Sequence, residues 1–129
     1  MPDRVYSLPG VRIYEWAAEG PQPQTDRDVV ELIGLAGRAD AQLIVIPAER
    51  LGDSFFRLES RLAGEILQKF MNYRLRVAIL GDISRHVAES SALRDFVYEC
   101  NRGRHIWFFT DAEELESRLR LTAPPAPDA

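Results

Sequence analysis

The sequence predicts a single α/β domain whose mixed five-stranded sheet starts with a β-hairpin and carries about four helices. Three observations lead to this prediction. The chain has 129 residues, which is enough for one hydrophobic core without a metal or disulfide. Short β-prone runs alternate with longer amphipathic segments, as in strands joined by right-handed helical crossovers. A Pro-Gly pair separates the first two β-prone runs, which predicts that these two form the hairpin.

The hairpin is predicted over residues 4–8 and 11–16. In the second run, apolar and polar side chains alternate with the period of a strand that has two unlike faces. The two prolines of residues 20–24 then predict a loop. A helix is expected to begin at the N-cap Thr25, because the hydroxyl and the carboxylates that follow it suit the positive end of a helix, and to end at residues 37–40.

The middle of the chain predicts two strands with the longest helix between them. Residues 42–46 form a nearly continuous apolar run, which is typical of a strand buried on both faces. Residues 54–72 repeat apolar side chains at three- and four-residue spacing, which predicts one amphipathic helix. Gly64 lies inside this helix and indicates close packing of another element. Residues 75–80 are predicted to be the next strand.

The last third of the chain continues the alternation. Ser84 is the expected N-cap of a helix over residues 86–101, and residues 105–109 are the most strongly β-prone run of the chain. Thr110 starts a capping-box pattern with Glu113, which predicts a short final helix. The sequence thus predicts helices at the ends of three consecutive strands.

One domain is expected over residues 1–121. Residues 122–129 contain three prolines and no packing pattern, so they are predicted to be a disordered tail.

Composition and charge disfavour several classes of protein. The net charge is −4 and the pI is near 5.2, which argues against a general nucleic-acid binder. No apolar run approaches the roughly 18 residues of a membrane helix, and the first residues lack the apolar stretch of a secretory signal. We therefore expect a cytoplasmic protein. Basic residues are concentrated in the middle of the chain, since residues 50–104 contain ten Lys or Arg against seven Asp or Glu.

A candidate site lies where the parallel strands end. The carboxyl ends of such strands open onto one edge of the sheet, and each is followed here by the start of a helix, which favours an anion. The polar residues expected at this edge are Glu49, Arg50, Asp53, Ser54, Asp82, Ser84, Arg85 and His86. The last six form a candidate anion or ligand site. The alternative is that several of them only cap their helices.

Residue patterns typical of enzymes are missing from the sequence. The glycines of the core region stand singly, and the sequence contains no His-x-x-x-His or Glu-x-x-His pair for a metal. Cys100 is the only cysteine, which excludes an internal disulfide, and its place on an apolar helix stripe favours a buried thiol over a nucleophile. We therefore predict no catalytic residue, metal or cofactor, although the sequence leaves the possession of an enzymatic activity open.

The segment around Ser60 resembles a known regulatory fold. A strand, a loop and then a helix with Glu59-Ser60, Gly64 and Ile66-Leu67 resemble the STAS domains, which are the sulfate-transporter and anti-sigma-factor-antagonist domains. In phosphorylatable members of that family, a serine near the start of this helix is the modified residue. The resemblance implies a STAS-like fold, with Glu59, Ser60 and Arg61 as a site of phosphorylation or partner contact.

Over the whole chain, the sequence resembles a bacterial family known as domain of unknown function 4180 (DUF4180). The matching stretches are LAGEILQKFMNYRLRVAILGD at 62–82 and ESSALRDFVYECNRGRHIWFF at 89–109. The resemblance extends from about residue 4 to residue 120 and implies no particular activity.

Two functional hypotheses follow from the sequence. The first is a non-enzymatic regulatory module that binds a protein partner through the face around residues 54–72. The second is a small-molecule sensor or small enzyme that uses the carboxyl edge of the sheet. Either is compatible with a homodimer, and neither predicts nucleic-acid or membrane binding.

Overall fold

The computed structural model of the protein describes residues 3–8, 10–23 and 25–122. Pro9 of the predicted hairpin turn and residues 123–129 of the predicted tail lie outside these ranges.

The five strands form one mixed sheet. Their order across the sheet follows the chain, β1-β2-β3-β4-β5, with β1 antiparallel to β2 and every later pair parallel. This confirms the predicted fold class, including the N-terminal hairpin. The strands are β1 Arg4–Leu8, β2 Val11–Glu15, β3 Leu43–Pro47, β4 Arg76–Leu80 and β5 Ile106–Phe109.

Six α-helices lie in the described ranges, against the four or so expected, because two predicted helices are each divided. They are α1 Asp26–Arg38, α2 Gly52–Phe56, α3 Leu62–Asn72, α4 Ser84–Glu89, α5 Ser91–Arg102 and α6 Ala112–Thr122. Two short 3₁₀ turns, Ala48–Arg50 and Leu58–Ser60, precede α2 and α3.

Both faces of the sheet are buried, and they belong to two separate clusters. On one face, Ile44 and Ile46 of β3 pack in the larger cluster with side chains from α1, α3 and α5. On the other face, Leu43 and Val45 pack with Trp107 and with residues of α6. All four β3 side chains are buried to 1% exposure or less, as the continuous apolar run predicts.

The single helix predicted over residues 54–72 is wrong. The chain is extended at Arg57, and Arg61 has the left-handed φ of 65°, so three short segments replace one helix. The Ser60 hydroxyl accepts a hydrogen bond from the amide of Leu62 and donates one to the carbonyl of Ser54. These local bonds offer the backbone an alternative to continuous helix. The close packing expected at Gly64 is also wrong, because a Cβ there meets no atom within 4 Å.

The helix predicted over residues 86–101 is likewise divided. Ser90 has extended backbone angles, and its hydroxyl accepts from the amide of Leu93, which makes it the N-cap of α5. Ser84 is not an N-cap, since it is the first residue of α4, and its amide donates to the side chain of Asp82. Ser90 therefore starts a second helix inside a segment whose apolar period predicts only one.

The N-caps of α1 and α6 can also be compared with those predicted from the sequence. Thr25 forms the complete capping box with Asp28 and begins α1, as predicted. The box predicted from Thr110 to Glu113 is wrong, because α6 starts at Ala112 and the Asp111 side chain accepts from the amide of Glu114. The shift of one residue changes the capping side chain from a hydroxyl to a carboxylate.

Within the described ranges, no helix combines the length and the apolar character that a bilayer crossing requires.

Candidate functional site

A groove runs along the carboxyl ends of β3 and β4. It consists of two neighbouring cavities of about 570 and 430 Å³ that share Asp53, Phe56, Arg85 and His86. We call this combined depression the edge groove. The further residues that line it are Gln22, Ala48, Glu49, Gly52, Arg57, Glu59, Leu80, Gly81, Asp82, Ile83, Glu89 and Ser90. Its volume is in the range of small-ligand sites in proteins.

Three polar side chains meet at the centre of the groove. The Arg85 guanidinium lies 3.0 Å from an Asp53 carboxylate oxygen, and His86 Nε2 lies 3.8 Å from the same oxygen. The Nη2 atom of Arg85 lies 3.4 Å from Nε2 of His86. The Asp53 and Arg85 side chains are 64% and 71% exposed, so this ion pair contributes little to stability and is accessible to a ligand.

His86 has a different environment from its neighbour. Its side chain is only 17% exposed, and its ring stacks on Phe56 with centroids 4.5 Å apart and planes 15° from parallel. Phe56 itself is buried and packs edge-on against Phe55. The stack therefore joins the groove to the hydrophobic core and gives it one flat aromatic wall with a nitrogen at its rim.

Asp82 and Gly81 form the groove wall that follows β4. The Asp82 carboxylate accepts hydrogen bonds from Ser84, which lowers the pKa of Asp82, so this exposed group carries its negative charge at neutral pH. Gly81 has a φ of 144°, and a Cβ at this position would lie 2.9 Å from the Cβ of Ala48. Glycine thus allows the connection after β4 to approach the one after β3.

The loop that follows β2, the parallel neighbour of β3, supplies Gln22. This side chain lies directly over Gly52, where a Cβ would be 2.3 Å from the Gln22 Oε1 atom. The loop is held by Arg50, whose guanidinium donates to the carbonyls of Ala17 and Pro21 at 2.6 and 2.8 Å and stacks 3.6 Å from the ring centre of Trp16. Only 7% of Arg50 is exposed, so the arginine acts as an internal anchor for the loop.

The residues of the STAS resemblance lie beside the edge groove. Glu59 lines it directly. Ser60 is exposed, and its hydroxyl bridges the end of α2 to the start of α3. Arg61, with its left-handed backbone, is the residue immediately before α3. The two groups of candidate residues, which the sequence treats as separate hypotheses, are therefore neighbours.

Most of the predicted edge residues are brought together, but two are not. Asp53, Asp82, Arg85 and His86 all line the groove. The side chains of Ser54 and Ser84 are not among its lining residues. Sequence reasoning missed Phe56 and Gln22, and it placed Arg50 at this edge without its contacts to the loop before α1. In the sequence, Phe56 is only one member of an apolar helix stripe. Nothing in the sequence indicates that the loop before α1 packs against the segment after β3.

The charge of the groove favours one class of ligand group. Around the larger cavity, three carboxylates (Glu49, Asp53 and Asp82) stand against the single guanidinium of Arg85. This balance disfavours the anion expected from the helix starts and favours a neutral or positively charged group.

Metal binding and nucleophilic chemistry at Cys100 both lack a basis among the described residues. No set of three His, Cys, Asp or Glu side chains in the described ranges could hold a metal ion. Cys100 is half-buried, and burial, with a smaller effect of Glu99, raises the pKa of its thiol to about 11. A thiol with this pKa is a weak nucleophile at neutral pH.

The comparisons with known proteins identify a family. The model of the family described as Domain of unknown function (DUF4180) matches residues 9–119. The chain belongs to this family. No curated protein and no solved structure matches the chain. The likeness to STAS domains stays a prediction, and the DUF4180 family description names no activity.

Proposed function

We propose that this DUF4180 protein is a binding module without catalytic machinery of its own, and that a segment of a protein partner docks in its edge groove. One observation carries the proposal: two cavities that share four residues make a continuous groove, which joins the Asp53–Arg85–His86 centre to Glu59 of the neighbouring turn. A long, open groove with charges of both signs and an aromatic wall suits an extended segment better than it suits an enclosed small molecule.

The chemistry of the groove narrows the choice of partner segment. A lysine or arginine side chain of the partner would lie among the carboxylates of Glu49 and Asp82, and an apolar or aromatic side chain would pack against the Phe56–His86 stack. The partner is therefore expected to present a basic segment that contains at least one large apolar residue.

The test is capture of partners from the native host by the tagged full-length protein, with two charge variants in parallel. Asp53→Lys removes the ion pair at the groove centre and should reduce recovery of the partner about tenfold or more. The matched control is Glu99→Lys, which makes the same change of charge at an exposed glutamate of α5 that does not line the groove. The Asp53–Arg85 and Glu99–Arg102 ion pairs are both exposed. Each variant should therefore keep its free energy of unfolding within about 0.5 kcal/mol of that of wild type.

The outcomes separate clearly. A stoichiometric protein recovered by wild type and by Glu99→Lys, and lost from Asp53→Lys, supports the proposal. Equal recovery by both variants contradicts it, and so does a bait that returns alone.

A small-molecule sensor that uses the same groove is the second candidate, because the volume near 570 Å³ is adequate for one small ligand. Native mass spectrometry of the purified protein distinguishes the two. A bound small molecule that Asp53→Lys loses favours the sensor.

We further propose Ser60 as the point at which binding is regulated. Ser60 is exposed in the 3₁₀ turn before α3, and Glu59 next to it lines the groove. Phosphorylation would replace the hydrogen bond to the Ser54 carbonyl and add negative charge beside Arg57 and Arg61. The intact mass of the protein from its native host checks this: an added phosphate that maps to Ser60 supports the proposal, and an unmodified protein contradicts it.

A further inference from the structure

The opposite edge of the sheet has the reverse charge. Four described segments lie where β2, β3, β4 and β5 begin: residues 10–11, 39–42, 73–76 and 103–105. They contain three arginines and a histidine against one carboxylate, Asp40. For a chain of net charge −4, this is a local excess of positive charge.

A cavity of about 420 Å³ opens at this amino edge. Arg74 and Arg76 line one part of it. Another part has apolar and aromatic character, since Val11, Leu75 and the half-exposed ring of Tyr73 also line it. The lining of the cavity thus combines two arginine residues with a surface on which a flat organic group can pack.

Arg76 is held in place before any ligand arrives. Its Nε donates to the carbonyl of Arg104 at 2.9 Å, and its guanidinium lies 4.5 Å from the ring centre of the buried Trp107. The Arg118 guanidinium lies 5.0 Å from the same ring centre. Burial, and then the positive charge of Arg118, lower the pKa of Arg76. Both guanidinium groups lie against the ring of Trp107, and that of Arg118 also donates to the carbonyl of Gly103.

We infer that this amino-edge cavity binds a small phosphorylated molecule, with the phosphate on Arg74 and Arg76 and a flat organic group against Tyr73. Arginine suits this role because its planar fork of N–H donors matches phosphate oxygens. The fixed guanidinium of Arg76 loses little freedom on binding, which favours affinity. This site is on the other edge of the sheet from the groove of the proposed function and does not depend on it.

The test is calorimetric titration of the full-length protein at constant ionic strength with three probes: inorganic phosphate, adenosine 5′-monophosphate and adenosine. We expect phosphate to bind, the nucleotide to bind about fivefold tighter or more because its base packs on Tyr73, and adenosine to give no measurable binding. Nucleotide binding no tighter than that of phosphate overturns the organic part of the inference. Adenosine binding as tight as the nucleotide overturns the phosphate part.

Variants assign the binding to the cavity. Arg74→Gln changes an exposed side chain, so it should fold normally and weaken binding of phosphate and nucleotide about tenfold. Tyr73→Ala should remove the advantage of the nucleotide over phosphate. The matched control is Arg27→Gln, an 89% exposed arginine in the first turn of α1. An Arg74→Gln protein that binds as wild type does overturns the inference. Asp53→Lys should leave nucleotide binding unchanged, which keeps this result separate from that of the edge groove.

Discussion

Replacing Arg50 tests how much the contacts of its guanidinium with the loop before α1 stabilise the fold. Arg50→Met keeps the apolar stem of the side chain and removes the guanidinium. Two hydrogen bonds from a charged donor are lost, each worth roughly 1.5 kcal/mol, and with them a desolvated cation–π contact worth about 2 kcal/mol. The methionine no longer carries a charge into the interior, which returns part of this loss. We expect a net decrease of about 2–4 kcal/mol in the free energy of unfolding, a large share of the roughly 5–15 kcal/mol of a typical domain.

Urea unfolding followed by circular dichroism measures this decrease. Arg50→Lys keeps the charge but lacks the planar fork, so it should recover less than half of the loss. Arg27→Met is the matched control, because that arginine is 89% exposed with a 3.9 Å contact to Glu31, and its effect should stay within about 0.5 kcal/mol. An Arg50→Met protein as stable as the control would refute the anchoring role of Arg50.

Three further predictions test other parts of the fold. Ser60→Ala should lower the free energy of unfolding by about 1 kcal/mol in urea denaturation, since the hydroxyl joins the end of α2 to the start of α3, and no change would contradict this capping role. Gly81→Ala should cost roughly 1–3 kcal/mol, because φ is 144° and the new Cβ meets Ala48 at 2.9 Å; its melting temperature should fall well below that of Gly37→Ala, where a Cβ meets nothing within 4 Å. Cys100 keeps its proton in the folded state up to a pKa of about 11 but only to about 9 when unfolded, so its contribution to stability is lost as the pH rises from about 9 to 11. Wild type should therefore lose more stability than Cys100→Ala between pH 8 and pH 10, and equal losses would contradict the raised pKa.

The local rules of the sequence predict most of the fold. The Pro-Gly pair, the continuous apolar run of β3 and the capping box at Thr25 each depend on residues within a few positions of one another. Short-range sterics and hydrogen bonds determine such features, so they can be read from the chain alone. The two predictions of continuous helix fail where two local signals compete. At Ser60 and Ser90, an apolar period continues through a serine whose hydroxyl bonds to nearby backbone, and the serine interrupts the helix.

Part of the candidate site could also be predicted from positions along the chain. Strand ends meet at one edge in any parallel sheet, so Asp53, Asp82, Arg85 and His86 could be assigned to a common surface from their positions after β3 and β4. The expected sign of the ligand group was not supported, because three carboxylates line the larger cavity and its one guanidinium, that of Arg85, is paired with Asp53. Pairings of this kind depend on side-chain positions that spacing does not give.

The sequence by itself determined the fold class, the strand runs, the family and the residues that follow each parallel strand. Only the tertiary structure decided that Arg50 holds the loop of Gln22, that Phe56 stacks on His86, and that Arg76 and Arg118 lie over one tryptophan. The members of these contacts are as many as 42 residues apart in the chain, between Arg76 and Arg118. Local propensity carries no information about such pairs, because the packing of whole elements brings them together.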